Sequence, residues 1–260
     1  MSADRALIHS VVAKYAAAKA PPKPNLEPEP ADNNFASTAA SSTDVPLKDF
    51  LAPEGLERAV KARRIPNLVH FTRCENLSSI LQHGLYSIDT ALERGVVPVT
   101  NDKNRYDGQA DGTSLSISFP NSLMFYKYRM ADPKTRWAMV LIDPAVIYEK
   151  RCGFYPLNAA DARMSRQPRE AMRTTAAFER MFTEDLSARP PYLRSHDATD
   201  VQAEVMVYDD IGPEYFQGVV FETLADLAIY REKVPGLEVF AVGKGEGLFG
   251  TRDRRLRSLA

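Results

Sequence analysis

The order of apolar runs is the feature that most limits how this chain can fold. Short stretches with strand character ("NLVHFT", "SLSISF", "WAMVLID", "GVVFE" and "LEVFAV") are interleaved with helical ones ("CENLSSILQHGL", "NSLMFYKYRM", "PAVIYE" and "TLADLAIYREK"). Regular βαβ alternation is missing, which argues against a doubly wound sheet and for an α+β fold. A further strand is expected in "DVQAEVMVYDDI", where Val201, Ala203, Val205 and Val207 alternate with Gln202, Glu204 and Met206. One face of such a strand is buried, so Glu204 projects from the other. The pattern alone leaves open whether Glu204 is solvated there or aimed into a cleft.

Upstream, the chain cannot build a core. Residues 20–46 hold six prolines in "PPKPNLEPEPADNNFASTAASSTDVP", with many Ser, Ala and Asn and almost nothing to bury, which is the composition of a disordered linker. Before it, Leu7, Val11, Val12 and Tyr15 recur at helical spacing and predict a short amphipathic helix over 1–19. The folded unit is therefore expected to span 47–260. The helix is either a docking element or an extension that orders only on contact.

Bulk properties exclude several classes. The 260 residues are 44% hydrophobic and 26% charged, ordinary for a soluble protein, and no apolar run of membrane-spanning length or secretory core is present. No membrane association and a cytoplasmic location are expected. The two cysteines, Cys74 and Cys152, form no CxxC and read as buried thiols. A net charge of -1 supplies no global attraction to nucleic acid. Locally, residues 162–194 carry seven Arg against four acids, a set that either meets phosphates or is merely solvated.

No GxGxxG, P-loop, HExxH or GxSxG motif occurs, so the common dinucleotide, phosphate, zinc and serine-hydrolase geometries lack their residues. What remains is polar side chains at strand ends. His70 and Thr72 share a strand face and Asn76 opens the next helix, a corner that gathers imidazole, hydroxyl and helix N–H groups, although a lone strand histidine is more often structural. Gly84 closes that helix in the position of a C-cap glycine. In "NDKNRYDG", turn formers surround Arg105, whose forked donors suit phosphate and which can equally be a solvated loop residue. Phe119, Phe125, Tyr126 and Tyr128, with Lys127 and Arg129, offer faces for base stacking and cations for phosphates; half of these aromatics are expected inside.

Taken in order, "LVHFTRCENLSSILQHGL", "NDKNRYDG", "SISFPNSLMFYKYR" and "QAEVMV" resemble the DarT family of DNA ADP-ribosyltransferase toxins over roughly residues 65–222. The resemblance implies a compact ADP-ribosyltransferase-like fold with a mixed, mainly antiparallel central sheet. It also implies NAD as co-substrate without a metal, a base of single-stranded DNA as acceptor, and a macrodomain-type antitoxin as partner. Residue by residue, it places His70, Thr72, Asn76, Gly84 and Arg105 at the NAD, with Glu204 and Arg105 catalytic. Residues 163–203 become the substrate-reading loop, with Tyr126, Arg129, Arg189 and Arg194 expected to meet DNA. "SISFPN" and "MFYKYR" look closer to the guanine-modifying branch than to the thymine-modifying one. A protein or RNA acceptor, or a non-catalytic nucleic-acid-binding module on the same fold, are the alternatives.

Overall fold

The computed structural model describes residues 53–100, 108–182 and 189–253. The expected helix and linker before residue 47, and the loop bearing Arg105, lie outside the described residues.

After helix α1 (Pro53–Arg63), strand β1 (Leu68–Arg73) runs through the middle of a seven-stranded sheet. On one side β1 pairs antiparallel along its whole length with β3 (Trp137–Ile142), from Leu68 opposite Ile142 to Arg73 opposite Trp137. Strand β6 (Phe216–Phe221) extends that half, and β7 (Glu238–Ala241) joins it in parallel. On the other side β1 meets β2 (Thr113–Ile117), followed by β5 (Glu204–Val207) and β4 (Cys152–Tyr155), all antiparallel. The order is β4-β5-β2-β1-β3-β6-β7, the mixed, mainly antiparallel sheet of an α+β fold.

The helices α2 (Leu77–His83), α3 (Ile88–Glu93), α4 (Ser122–Ala131), α5 (Val146–Glu149), α6 (Ala162–Ser165), α7 (Thr175–Arg180) and α8 (Leu224–Tyr230) fill the connections. Side-chain caps set several starts: Ser87, Asn121, Thr174 and Thr223 each accept a backbone N–H three residues on, as short helices require for their orphan donors.

Because successive strand residues point to opposite faces, the sheet separates two apolar layers. Leu68, Leu77, Ile80, Val140, Phe154, Phe178, Val205 and Val219 belong to the larger one. Val69, Phe125, Trp137, Met139 and Phe249 form the second, under α4, and here the aromatic segment divides: Phe119 and Phe125 are buried, Tyr128 packs against the layer, and Tyr126 is 65% exposed. Strand β3 is buried on both faces, which is why "WAMVLI" shows no alternation.

Two expectations change. The arginine-rich stretch 162–194 contains α6, α7 and a 3-10 turn (Arg169–Met172), and Phe178 and Phe182 pack edge to face from there into the main core. Burial of one such ring contributes about 2–3 kcal/mol, enough to fix a stretch whose composition suggests a loop. The face of β5 that carries Glu204 is also not open. Tyr155, Ala159, Met172 and Met206 form a third, small cluster over it.

Both thiols are buried, and burial raises their pKa because it penalises the thiolate, that of Cys74 to about 12 and that of Cys152 further. Native protein at pH 8 is therefore expected to resist a thiol-specific disulfide reagent, whereas denatured protein titrates two thiols. Rapid labelling of the native protein would contradict this burial.

Among the described residues no helix is long and apolar enough to cross a membrane, and no cluster of three or more His, Cys, Asp or Glu could hold a metal.

Candidate active site

Strands β1 and β2 stay paired at only two positions, Leu68 with Ile117 and Val69 with Ser116. Beyond Val69 they part, β1 continuing with β3 and β2 with β5. His70 and Glu204 are brought together where the strands separate.

His70, the first residue past the split, reaches across it: its Nδ1 lies 3.1 Å from the Ser114 carbonyl oxygen. A carbonyl only accepts, so Nδ1 carries the proton and donates. The Ser114 side chain leaves the other way and donates its hydroxyl to Glu204 Oε2 at 2.6 Å. Glu204 Oε1 accepts the backbone N–H of Ala159 at 3.1 Å. The carboxylate is 5% exposed and is the first residue of β5, opposite Tyr155 of β4. One continuous series thus joins β1, β2, β5 and the segment after β4, and it brings His70 and Glu204, 134 positions apart in sequence, onto the two sides of Ser114.

Thr72 is buried and its hydroxyl accepts from Asn76 Nδ2 at 3.2 Å. Asn76 also grips Val99 twice, donating Nδ2 to the carbonyl at 3.1 Å and accepting the N–H on Oδ1 at 2.9 Å. An amide side chain here takes the place of a strand partner and fixes the entry to the loop of Arg105. The exit is fixed at Gln109, whose Oε1 accepts from Tyr155 at 3.1 Å and from Tyr208 at 2.5 Å. Burial raises the pKa of Tyr208, and the bond with Tyr155 adds to the shift. The Tyr208 phenol therefore remains a donor at neutral pH. Arg169 stacks over Tyr208 and binds Asp111 with both ends of its fork at 2.7 and 3.0 Å. Arg105 itself lies outside the described residues.

Gly84 caps α2 through its N–H to the Ile80 carbonyl and takes a φ of 98°. The next residue, Leu85, bridges Ile211, just past the end of β5. A Cβ at Gly84 would sit 2.6 Å from the Ile211 carbonyl oxygen, so glycine is needed for that close approach.

The side chains expected to meet DNA are placed differently from one another. Tyr126 projects outward from α4. Arg129 is engaged internally, with Glu222 at 2.5 Å and the Phe249 carbonyl at 3.0 Å. Arg189 donates to Thr199 Oγ1 and to the carbonyls of Arg194 and Asp197. Arg194 is half-buried in that same turn, its N–H bonded to Asp197 Oδ2.

Sequence reasoning missed Ser114, the Ala159 N–H and the Gln109, Tyr155 and Tyr208 group. Ser114 had a readable signal, since Ser114 and Ser116 alternate with Leu115 and Ile117 and so share the polar face of a strand. The others depend on strand neighbours that spacing does not reveal.

The family model described as ssDNA thymidine ADP-ribosyltransferase, DarT, matches residues 69–242. No curated protein matches the chain. Among solved structures, it is similar to Thermosipho africanus DarTG in complex with ADP-ribose, at a TM-score of 0.50 and 14% identity over 70% of this chain and 50% of that one. It thus spans half the length of that relative, and at such identity the likeness is one of fold. Thermus sp. 2.9 DarT in complex with NAD+ gives a TM-score of 0.46 at 15% identity over 68% of this chain and 96% of that one. The same Thermus protein in complex with ADP-ribosylated ssDNA gives 0.46 at 12% identity, with 68% and 94% covered. Since the matched span takes in more than half of the 260 residues, the chain belongs to the DarT family.

Proposed function

We propose that this protein transfers ADP-ribose from NAD to a guanine base of single-stranded DNA and serves as the toxin of a toxin-antitoxin pair in the cytoplasm. The observation that carries the enzymatic reading is the His70, Ser114 and Glu204 series at the strand split, in a chain of the DarT family.

In the proposed reaction the bond between nicotinamide and ribose breaks and its electron pair leaves with nicotinamide, quenching the pyridinium charge. A base nitrogen forms the new bond to the same ribose carbon and loses one proton. The products are ADP-ribosyl-DNA, nicotinamide and a proton. Positive charge grows on the ribose as the bond breaks, and a fixed carboxylate beside it stabilises that charge. Glu204 has this role, held by Ser114 and the Ala159 N–H so that little reorganisation is required. Its carboxylate is also the acceptor for the proton of the attacking base. His70 and Thr72 bound the NAD site on β1, and Arg105 orients phosphate and polarises the base. Asn76 and Gly84 act on this site by holding its walls. Tyr126 supplies an exposed ring for base stacking, and Arg194 lies on the acceptor side. Use of single strands avoids the few kcal/mol needed to extrude a paired base. The fold needs no metal for this chemistry.

The choice of guanine rests on the resemblance of "SISFPN" and "MFYKYR" to that branch. Thymidine is the second reading, favoured by the description of the matching family model. Incubating the protein with NAD and single-stranded oligonucleotides that contain only one of the two bases decides between them. A mass gain of one ADP-ribose on the guanine strand alone is expected. A gain on the thymine strand alone would transfer the assignment, and nicotinamide release with unmodified DNA would point to a protein or RNA acceptor.

A further inference from the structure

The turn that leads into Glu204 is held in an unusual manner. Six consecutive backbone carbonyls, from Arg194 to Thr199, each accept a hydrogen bond from a side chain elsewhere. Arg189 reaches those of Arg194 at 2.5 Å and Asp197 at 2.8 Å. Arg63 of α1 reaches that of Ser195 at 3.1 Å, and the Ser118 hydroxyl lies 3.4 Å from that of His196. Arg252 takes the last two, Ala198 at 2.6 Å and Thr199 at 3.0 Å. Ser118 adopts a left-handed φ of 62° to face the turn, a conformation that costs a serine about 1–2 kcal/mol and persists only where its surroundings impose it.

We propose that Arg63, Arg189 and Arg252 form a guanidinium cage that sets the position of Glu204, with Arg252 as its principal positioning residue. The inference rests on the reading of Glu204 as the catalytic carboxylate. Arg252 is 8% exposed and comes from the C-terminal segment, and like Arg63 it falls outside the span 69–242 matched by the family model. Each guanidinium is a rigid fork of donors, which suits it to bridge neighbouring carbonyls in a way that a lysine ammonium does not. The constraint then passes forward through Asp200, which accepts the N–H of Gln202 on its side chain and that of Ala203 on its carbonyl. Glu204 follows directly. Arg189 was expected at the DNA; here it shapes the turn from within.

The test uses the full chain with Arg252→Lys, which keeps the charge and the stem, and Arg63→Lys as the second variant should the first not fold. Amide hydrogen exchange over 194–203 is expected to accelerate about tenfold, with the amides of β1, β3 and β6 unchanged, since opening is local. Misplacement by about 1 Å is expected to lower kcat for transfer about 10²-fold while KM for NAD stays within about twofold. Loss of folded protein alone would lower the apparent kcat without moving KM, so kcat is taken per folded molecule, counted by circular dichroism on the same preparation; a purely structural arginine would leave that kcat unchanged. Exchange like that of the wild type in 194–203 would overturn the cage. A loosened turn with kcat unchanged would overturn its link to Glu204. If the wild-type protein transfers nothing, that failure belongs to the proposed function, and the exchange pattern still decides whether the cage exists.

Discussion

Glu204→Gln is expected to lower DNA ADP-ribosylation by about 10³-fold while moving the thermal midpoint by less than about 3 °C. Glutamine keeps the volume and both contacts, because its carbonyl still accepts the Ala159 N–H and its amide can donate to the Ser114 hydroxyl. Only the negative charge is lost, the charge proposed to stabilise the ribose as its bond to nicotinamide breaks. Alanine would be a poorer probe. It would strand the Ser114 hydroxyl and the Ala159 N–H in a buried place, at about 1–3 kcal/mol for each unmet group. Toxicity on expression in cells should disappear with the glutamine variant. Equal toxicity of variant and wild type would count against catalysis as its cause.

The second large effect is on the framework. Gly84→Ala places a methyl group 2.6 Å from the Ile211 carbonyl oxygen, on a backbone whose φ of 98° alanine rarely adopts. Backbone strain and steric overlap together are expected to cost about 3 kcal/mol, or roughly 6–12 °C in thermal midpoint for a domain of this size. The Leu85 to Ile211 bridge fastens the end of α2 to the chain just beyond β5, so the damage falls on the strand that carries Glu204. A thermal midpoint equal to that of the wild type, combined with weakened NAD binding, would instead show that Gly84 acts by direct contact with the dinucleotide.

Much of the fold was legible because each signal was local. β1, β2, β3, β6 and β7 follow from short apolar or alternating runs, and α2 from its apolar spacing and the glycine after it. Strand β4 was missed since "CGFY" is four residues long, buried on both faces, and so shows no alternation. α7 was missed because "TAAFER" sits in an arginine-rich stretch whose composition masks the two phenylalanines at its core contact. In the candidate site, Glu204 stood out once set in order behind His70. Its burial was not legible, because the cluster of Tyr155, Ala159, Met172 and Met206 above it is assembled from three separate segments. Arg252 carried no signal at all: in "TRDRRLRSLA" it is one of four arginines in a basic tail, and only the register of the turn at 194–199 distinguishes it.

The carboxylate of Glu204 is expected to drive transfer of ADP-ribose to DNA. Intact-mass measurement of a guanine-containing single strand, after incubation with NAD and either wild-type protein or Glu204→Gln, tests this most directly. The mass of one added ADP-ribose is expected with the wild-type protein and an unchanged strand with the variant. Equal modification by both proteins would contradict this role of Glu204.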